Sequence, residues 1–298
     1  MIRPRRRAAL PPVTWPRCCV PWQPAQLAMI RSVHDHLAHS RPQASTAGST
    51  AAAGPASATA ASASAASAAS GHRLRLVVGD KAYSSWSLRA WLPLRVAAGA
   101  GAFEEIGIEL AGAGSDAQRD YIRQFSPSGK VPALIDGELD GLVIWDSLAI
   151  AEHLNELFPA AGLWPADQAL RARARSVSAE MHSSFAAMRE ALPMNVRKSS
   201  PESEEWRAPG VEADIARVCE LWAECRAAVP AGAGSFLFGS FTIADAMYAP
   251  VCMRFRTYAP PLDAPSQAYV DAVASMPEVQ EWVAAAEAET HRIEQYER

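Results

Sequence analysis

Three neighbouring hydroxyl side chains occur where a strand pattern passes into a helix pattern, in the run Tyr83-Ser84-Ser85-Trp86-Ser87-Leu88-Arg89. The apolar stretch 74–78 predicts a buried strand. Residues 84–98 predict a helix with an interior proline, Pro93, which predicts a kink. A hydroxyl beside the positive end of a helix can donate a hydrogen bond to an anion. Serine is also a common N-cap residue, so one of the two serines can serve only as a cap.

The elements around this turn predict an α/β domain over residues 72–160. Further strands are expected at 103–110, 131–135 and 139–144, and further helices at 116–125 and 147–158. Asp136-Gly137-Glu138 predicts a tight hairpin turn between the last two strands. The order β-α-β-α-β-β-α indicates a mixed sheet.

After Trp164-Pro165 only helical patterns occur, which predicts an all-helical domain over residues 166–298. Helices are expected at 170–192, 211–229, 242–255, 266–276 and 277–288. The third of these is apolar nearly all round and should be the buried central helix. Cys219, Cys225 and Cys252 fall in these helices and are expected in the core.

Composition separates the first 71 residues from the rest. Residues 51–70 contain 17 Ala or Ser in 20 positions, and the segment 1–71 carries seven Arg against one acid. Such a segment cannot bury enough apolar surface to fold, so it predicts a disordered low-complexity tail. Three interpretations stay open: an extension from an upstream start codon, an organelle transit peptide, or an interaction arm.

Charge and cysteine usage exclude several classes of function. The net charge is −4 and the tail is basic, so the body is acidic and unsuited to nucleic acid. No apolar window reaches transmembrane length, so no membrane partner is expected. The five Cys have no metal-ligand or disulfide spacing, which indicates no metal and a reducing, cytoplasmic location.

Four local runs resemble motifs of the cytosolic glutathione transferase superfamily, over about residues 73–290. Ser84-Ser85-Trp86-Ser87 resembles the Ser-Ser-Cys-Ser of the zeta class, with Trp86 where that class has cysteine. Ser128-Gly129-Lys130-Val131-Pro132 resembles the loop that carries a cis Val-Pro bond. The other two runs are Asp146-Ser147-Leu148-Ala149-Ile150, which resembles a helix start at the glutathione site, and Phe241-Thr242-Ile243-Ala244-Asp245, which resembles a capping box with a folding role.

The resemblance implies a thioredoxin-like N-terminal domain, an all-α C-terminal domain and a homodimer. It implies glutathione as co-substrate, a small electrophile as the second substrate and a role in detoxification. The catalytic hydroxyl is expected from Ser84 or Ser85, with Ser84 preferred and Tyr83 a weaker competitor. The implied glutathione-binding residues are Ser84, Ser85, Trp86, Arg89, Lys130, Val131, Asp146 and Ser147, with Pro132 structural at the site.

Alternatives to a simple transferase stay open. The zeta resemblance implies a maleylacetoacetate isomerase of phenylalanine and tyrosine breakdown, whose carboxylated substrate needs a basic pocket. Arg89 and Arg197 are the candidates for that pocket, and Met181 and His182 are expected near it. Trp86 removes the thiol that thiol–disulfide chemistry needs. A non-catalytic binding or assembly module is the alternative of another class.

Overall fold

A computed structural model describes residues 73–111 and 115–297. The predicted tail 1–71 lies outside the described residues. The elements of the first part are β1 (Leu74–Gly79), α1 (Ser85–Ala98), β2 (Glu104–Ile108), α2 (Asp116–Ile122), β3 (Ala133–Asp136), β4 (Leu142–Trp145) and α3 (Ser147–Leu157).

The four strands form one mixed sheet in the order β2-β1-β3-β4. β1 is parallel to β2 and antiparallel to β3, with Leu76 opposite Leu134, and β3 is antiparallel to β4. Side chains alternate across β1: Leu76 joins the core with α1 and α3, whereas Val77 packs with Ile122 of α2. Burial on both faces explains why β1 reads as a continuous apolar run.

The connection between β3 and β4 differs from the predicted tight turn. Residues Gly137–Leu139 form a 3-10 turn, and Asp140 follows in the left-handed region at φ 57°. The Asp136 carboxylate accepts a hydrogen bond from the Glu138 N–H at 2.9 Å. This side-chain cap lengthens the connection, so β4 begins three residues later than predicted.

The second part is entirely helical apart from short 3-10 turns and isolated bridges. Its helices are α4 (Gln168–Ser183), α5 (Ala186–Ala191), α6 (Val211–Ala227), α7 (Ile243–Tyr258), α8 (Ala264–Ala274), α9 (Pro277–Ala288) and α10 (Glu294–Glu297). The α/β sheet followed by helices confirms the predicted fold class. The proposed division at 160–166 stays a prediction, because one core cluster includes residues of both parts.

The predicted single helix 170–192 is wrong. The chain breaks after Ser183, and Phe185 adopts φ 65° before α5 begins. The Ser183 hydroxyl donates back to the Ala179 carbonyl at 2.9 Å, and the Met188 N–H at the start of α5 is capped by Asp214 of α6 at 2.9 Å. A cap from a distant helix leaves no local signal in the sequence.

Helix α7 is the centre of the helical part, as predicted. All of its 16 residues except Arg256 are buried. Asp245 accepts hydrogen bonds from the Thr242 N–H at 2.8 Å, the Leu237 N–H at 3.0 Å and the Tyr269 hydroxyl at 3.0 Å. These bonds confirm the capping box and tie three segments to one buried carboxylate.

The three described cysteines lie in the helical part. Cys225 and Cys252 are buried and Cys219 is half-buried. Burial raises the pKa of the Cys225 thiol to about 12, so this thiol is not an available nucleophile. Within the described ranges no helix is long and apolar enough to cross a membrane, and no cluster of three metal-ligating side chains occurs.

Candidate active site

A cleft of about 720 Å³ opens between the sheet part and the helical part. One wall comes from the start of α1, from α2 and from the loop before β3; the other comes from α5, the 193–194 segment, α7 and the C-terminal segment. The residues that line the cleft include Tyr83, Ser84, Ser85, Trp86, Arg119, Lys130, Val131, Arg189, Glu190, Met194, Arg254, Ile293, Gln295 and Tyr296.

The two serines at the start of α1 differ in their hydrogen bonds. Ser84 is the N-cap: its Oγ accepts from the Ser87 N–H at 3.3 Å and donates to the Ser87 Oγ at 2.7 Å. The Ser87 Oγ in turn accepts from the Gly79 N–H at 3.0 Å, so the cap is anchored to β1. The Ser85 Oγ has no hydrogen-bond partner among the described residues, and Ser85 lines the cleft. The free hydroxyl at the helix N-terminus is therefore that of Ser85, not that of Ser84.

Tyr83 is held by the C-terminal segment. Its hydroxyl donates to Glu297 and accepts from Arg197 Nη2 at 2.5 Å and from the Ile293 N–H at 3.2 Å. Burial, followed by the bond to Glu297, raises the pKa of the Tyr83 hydroxyl. Tyr83 therefore serves as an anchor for the segment that closes one end of the cleft.

The loop before β3 forms part of the cleft wall on the sheet side. The Val131–Pro132 peptide bond is cis, and Gly129 lies at φ 64°. A Cβ at Gly129 would come within 3.3 Å of the Arg119 carbonyl, so the loop passes close to α2. Lys130 and Val131 line the cleft, and the β3–β4 ladder begins just beyond them at Ala133–Trp145.

Asp146 and Ser147 lie beside this loop but do not line the cleft. The N-cap of α3 is Asp146, whose carboxylate accepts hydrogen bonds from the Leu148 N–H at 2.9 Å and the Ala149 N–H at 3.3 Å. The Asp146 carboxylate also lies 3.0 Å from His182 Nε2. Ser147 is the first residue of α3, and its buried Oγ has no partner among the described residues.

The structure does not bring Arg89 to the cleft surface. The Arg89 side chain is 1% exposed, and its Nε donates to the Met247 carbonyl of α7 at 2.9 Å. Its guanidinium lies 4.5 Å from the centroid of the Trp86 ring, and that of Arg189 lies 4.9 Å from it. Trp86 itself lines the cleft, so Arg89 lies behind a cleft residue rather than on the wall.

The three other residues predicted for the acceptor pocket, Arg197, Met181 and His182, are not part of the cleft lining. Arg197 does not line the cleft: besides Tyr83, it binds carbonyls of the 286–291 segment, including that of Glu289 at 3.1 Å. Met181 is fully buried in α4. His182 packs edge-on against Trp86, with ring centroids 5.2 Å apart.

Arg189 and Arg254 line the helical wall of the cleft and are not among the residues predicted from the sequence. The sequence could have indicated Arg254, since it is a cation in a helix that is otherwise apolar nearly all round. It gave no indication of Arg189, because α4 and α5 were predicted as the single helix 170–192. Burial lowers the pKa of the Arg189 guanidinium, and burial together with Arg189 lowers that of Arg254 to about 10.

Sequence comparison agrees with this architecture. The model of the family described as Glutathione S-transferase, N-terminal domain, matches residues 83–157, and that of Glutathione S-transferase, C-terminal domain, matches residues 168–285. The two ranges together span more than half of the chain. The protein therefore belongs to the glutathione transferase superfamily.

Individual relatives are more distant. The chain is 37% identical over 62 residues to a dichloromethane dehalogenase from Methylorubrum extorquens, covering 21% of this chain and 20% of the relative. It is 39% identical over 64 residues to a probable maleylacetoacetate isomerase from Caenorhabditis elegans, covering 22% of this chain and 28% of the relative. Each match thus spans less than a third of the relative's length.

Among solved structures, a glutathione transferase homolog from Burkholderia GL BGR1 with bound glutathione has a similar fold. The TM-score is 0.52 at 24% identity, over 72% of this chain and 99% of that chain. This likeness shows the shared fold.

Proposed function

We propose that the protein is a glutathione transferase in which the Ser85 hydroxyl stabilises the glutathione thiolate for attack on a small electrophile. The observation that carries this proposal is the Ser85 Oγ, which has no hydrogen-bond partner among the described residues and lies at the N-terminus of α1 in the cleft. Ser84, preferred from sequence, is committed to capping α1.

The energetic requirement is within reach of this arrangement. A free thiol has a pKa of about 8.5, and lowering it by about two units requires that the thiolate be stabilised by roughly 2.7 kcal/mol relative to the thiol. A hydrogen bond to a charged group contributes about 1.5–3 kcal/mol. The N-terminus of α1 adds about 0.3–1 kcal/mol. One serine hydroxyl and one helix end therefore account for the shift.

The surroundings of Ser85 suit the rest of the glutathione molecule. Val131 precedes the first paired residue of β3, so its backbone can pair with an extended peptide as a further strand would. Ser147 does not line the cleft, but its Oγ at the N-terminus of α3 has no partner among the described residues. We propose that the γ-glutamyl carboxylate extends beyond the cleft lining to this helix end, where it would accept a hydrogen bond from that hydroxyl. Lys130 and Arg119 provide positive charge on the same wall.

The assembly and location of the enzyme are part of the proposal. Leu142 and Trp145 of β4 are 50% and 49% exposed, although both are large apolar side chains. Their side chains point to opposite faces of β4, which is an edge strand of the sheet. Large apolar side chains exposed along an edge strand support a homodimer. The absence of disulfides among the described cysteines is compatible with a cytoplasmic enzyme. Light scattering on the purified protein would measure the subunit number.

A glutathione-dependent cis–trans isomerase of the maleylacetoacetate type is the second candidate. The similarity to the probable isomerase from Caenorhabditis elegans favours it, and so do the arginines of the helical wall. In this reaction the thiolate would add to the cis double bond and leave again after rotation. The same Ser85 site would serve both reactions.

Three measurements on the purified protein test the proposal. Calorimetry gives glutathione affinity, thiolate absorbance gives the thiol pKa of bound glutathione, and chloride release from chlorodinitrobenzene gives transfer. We expect binding, a thiol pKa about two units below its free value, and turnover. Isomerisation of maleylacetoacetate separates the second candidate. Binding of glutathione with an unshifted thiol pKa and no turnover would leave the non-catalytic module as the better description.

A further inference from the structure

Three arginines converge beside the cleft from three helices. Arg89 comes from α1, Arg189 from α5 and Arg254 from α7. The positive charges repel one another. Besides burial, the charges of Arg189 and Arg254 help lower the pKa of the Arg89 guanidinium, and the charge of Arg189 helps lower the pKa of Arg254. Burial of like charges in one place is costly unless something compensates them.

No described carboxylate forms an ion pair with an arginine of this cluster. Wherever a described carboxylate lies within 4.0 Å of an arginine nitrogen, that arginine is not Arg89, Arg189 or Arg254. Asp214 is the acid whose charge acts on Arg189, but its Oδ2 accepts from the Met188 N–H. Glu190, which also lines the cleft, is exposed.

The hydrogen bonds of the cluster all go to neutral backbone carbonyls. Arg254 donates from Nε to Leu192 at 2.7 Å and from Nη1 to Pro250 at 3.3 Å. Arg189 donates from Nη2 to Met181 and His182. Three further donors of the cluster, Arg189 Nε and both Nη atoms of Arg89, are buried without a partner among the described residues.

Two members of the cluster reach the cleft. Arg254 is 4% exposed yet lines it, and Arg189 lines it beside Trp86. Arg89 lies behind them, against the same Trp86 ring. The wall is thus positively charged and rigidly held, with guanidinium donors suited to a planar anion.

We infer that the acceptor substrate is an organic anion whose carboxylate binds Arg189 and Arg254 on the helical wall. This inference rests on the proposed function and names the class of its second substrate. Arg89 acts as a positioning residue, since it adds positive potential without touching the substrate. The ligand carboxylate supplies the negative charge that the described protein groups do not.

Glutathione also carries carboxylates, but its place is on the opposite wall. Lys130 and Arg119 stand next to the cis Val131–Pro132 loop, whereas Arg189 and Arg254 belong to α5 and α7. The two sets of cations therefore suit two different ligands. Variants of the helical wall should change acceptor selectivity and leave glutathione affinity intact.

A pair of aryl chlorides provides the test: chloronitrobenzoate and its methyl ester. The two have the same reacting carbon; the sulfur–carbon bond forms, the carbon–chlorine bond breaks, chloride leaves with the electron pair, and the thiol proton goes to solvent. We divide kcat/KM for each compound by its uncatalysed rate constant with glutathione, because the ester activates the ring more than the carboxylate does. We expect this quotient for the acid to exceed that for the ester by about tenfold in wild type, the factor that corresponds to one charge-assisted hydrogen bond. In Arg189→Gln this preference should fall to near unity, mainly through KM for the acid.

The controls separate the possible failures. Arg256→Gln replaces the exposed arginine two residues along α7 and should leave the acid-to-ester ratio unchanged. Arg254→Lys keeps the charge in a buried position and should retain part of the preference, and thermal melts check that each variant folds. Turnover of both compounds at equal efficiency by wild type would overturn the anion site while leaving the transferase intact. Loss of glutathione affinity in Arg189→Gln would instead assign the cluster to glutathione. No turnover of either compound, nor of chlorodinitrobenzene, would reject the transferase itself.

Discussion

The different hydrogen bonds of Ser84 and Ser85 give a prediction that separates catalysis from folding. Ser85→Ala removes a hydroxyl that has no partner among the described residues, so the fold loses little. If that hydroxyl donates to the sulfur of glutathione, the thiol pKa of the bound co-substrate must rise. Ser84→Ala removes the N-cap of α1 and its bond to Ser87, so its effect should fall on stability.

The magnitudes follow from the same contacts. A hydrogen bond to a charged group contributes about 1.5–3 kcal/mol, and one pKa unit corresponds to about 1.36 kcal/mol. Ser85→Ala should therefore raise the thiol pKa by about 1–2 units. Thiolate is the reactive form of glutathione. At a pH below the wild-type thiol pKa, kcat/KM of Ser85→Ala should therefore be about 10–100-fold lower than that of wild type, and the difference should disappear as the pH rises above the variant's thiol pKa. Loss of the Ser84 cap should cost about 0.5–2 kcal/mol of stability.

The assay is the pH profile of kcat/KM with chlorodinitrobenzene, combined with thiolate absorbance of bound glutathione and a chemical unfolding curve for each variant. In Ser85→Ala the acidic limb of the kcat/KM profile should move to higher pH, and the unfolding midpoint should not change. In Ser84→Ala the unfolding midpoint should fall, and the acidic limb should stay at nearly the same pH. A thiol pKa that changes in Ser84→Ala and not in Ser85→Ala would instead assign the sulfur to Ser84.

Three further predictions concern other parts of the site and the fold. Tyr83→Phe removes the bonds to Arg197 and Glu297, so it should lower the free energy of unfolding by about 1–3 kcal/mol and leave the glutathione thiol pKa unchanged; a raised thiol pKa would make Tyr83 the sulfur ligand. Asp245→Ala should cost at least about 3 kcal/mol in chemical unfolding, because it leaves several buried donors unpaired; a loss below about 1 kcal/mol would show that water replaces the carboxylate. Ser147→Ala should weaken glutathione binding by about five- to tenfold in calorimetry with little change in kcat, and an unaltered dissociation constant would place the γ-glutamyl group elsewhere.

Local patterns were enough for much of the fold. The strand 74–78, the buried helix near 242–255 and the Thr242–Asp245 box depend on side-chain periodicity and on residues three apart, which a sequence displays directly. The break at Phe185 depends on Asp214, almost thirty residues away. Such a cap becomes visible only when α5 and α6 are packed together.

The site was predictable in outline and not in detail. The motifs brought the start of α1 and the cis loop to one cleft, since strand order fixes where these turns meet. The choice between Ser84 and Ser85 depended on whether the helix cap occupied one hydroxyl. Arg89 lies one turn further along the same face of α1 than Ser85, behind Trp86, where its Nε donates to the Met247 carbonyl of α7. Position in a motif does not reveal how deeply a side chain is covered by its neighbours.

The placement of Arg254 on α7 bears on how substrate preference can diverge among descendants of this protein. Helix α7 carries both Arg254 and the Asp245 box, and nearly every one of its side chains is buried. Mutations in α7 that alter substrate selectivity would also lower the stability of the whole helical part. Arg189 and Gln295 border the same cleft from the short helices α5 and α10, which have one buried residue between them, Met188. Evolutionary drift and laboratory libraries alike should find new acceptors through those positions, while α7 stays fixed.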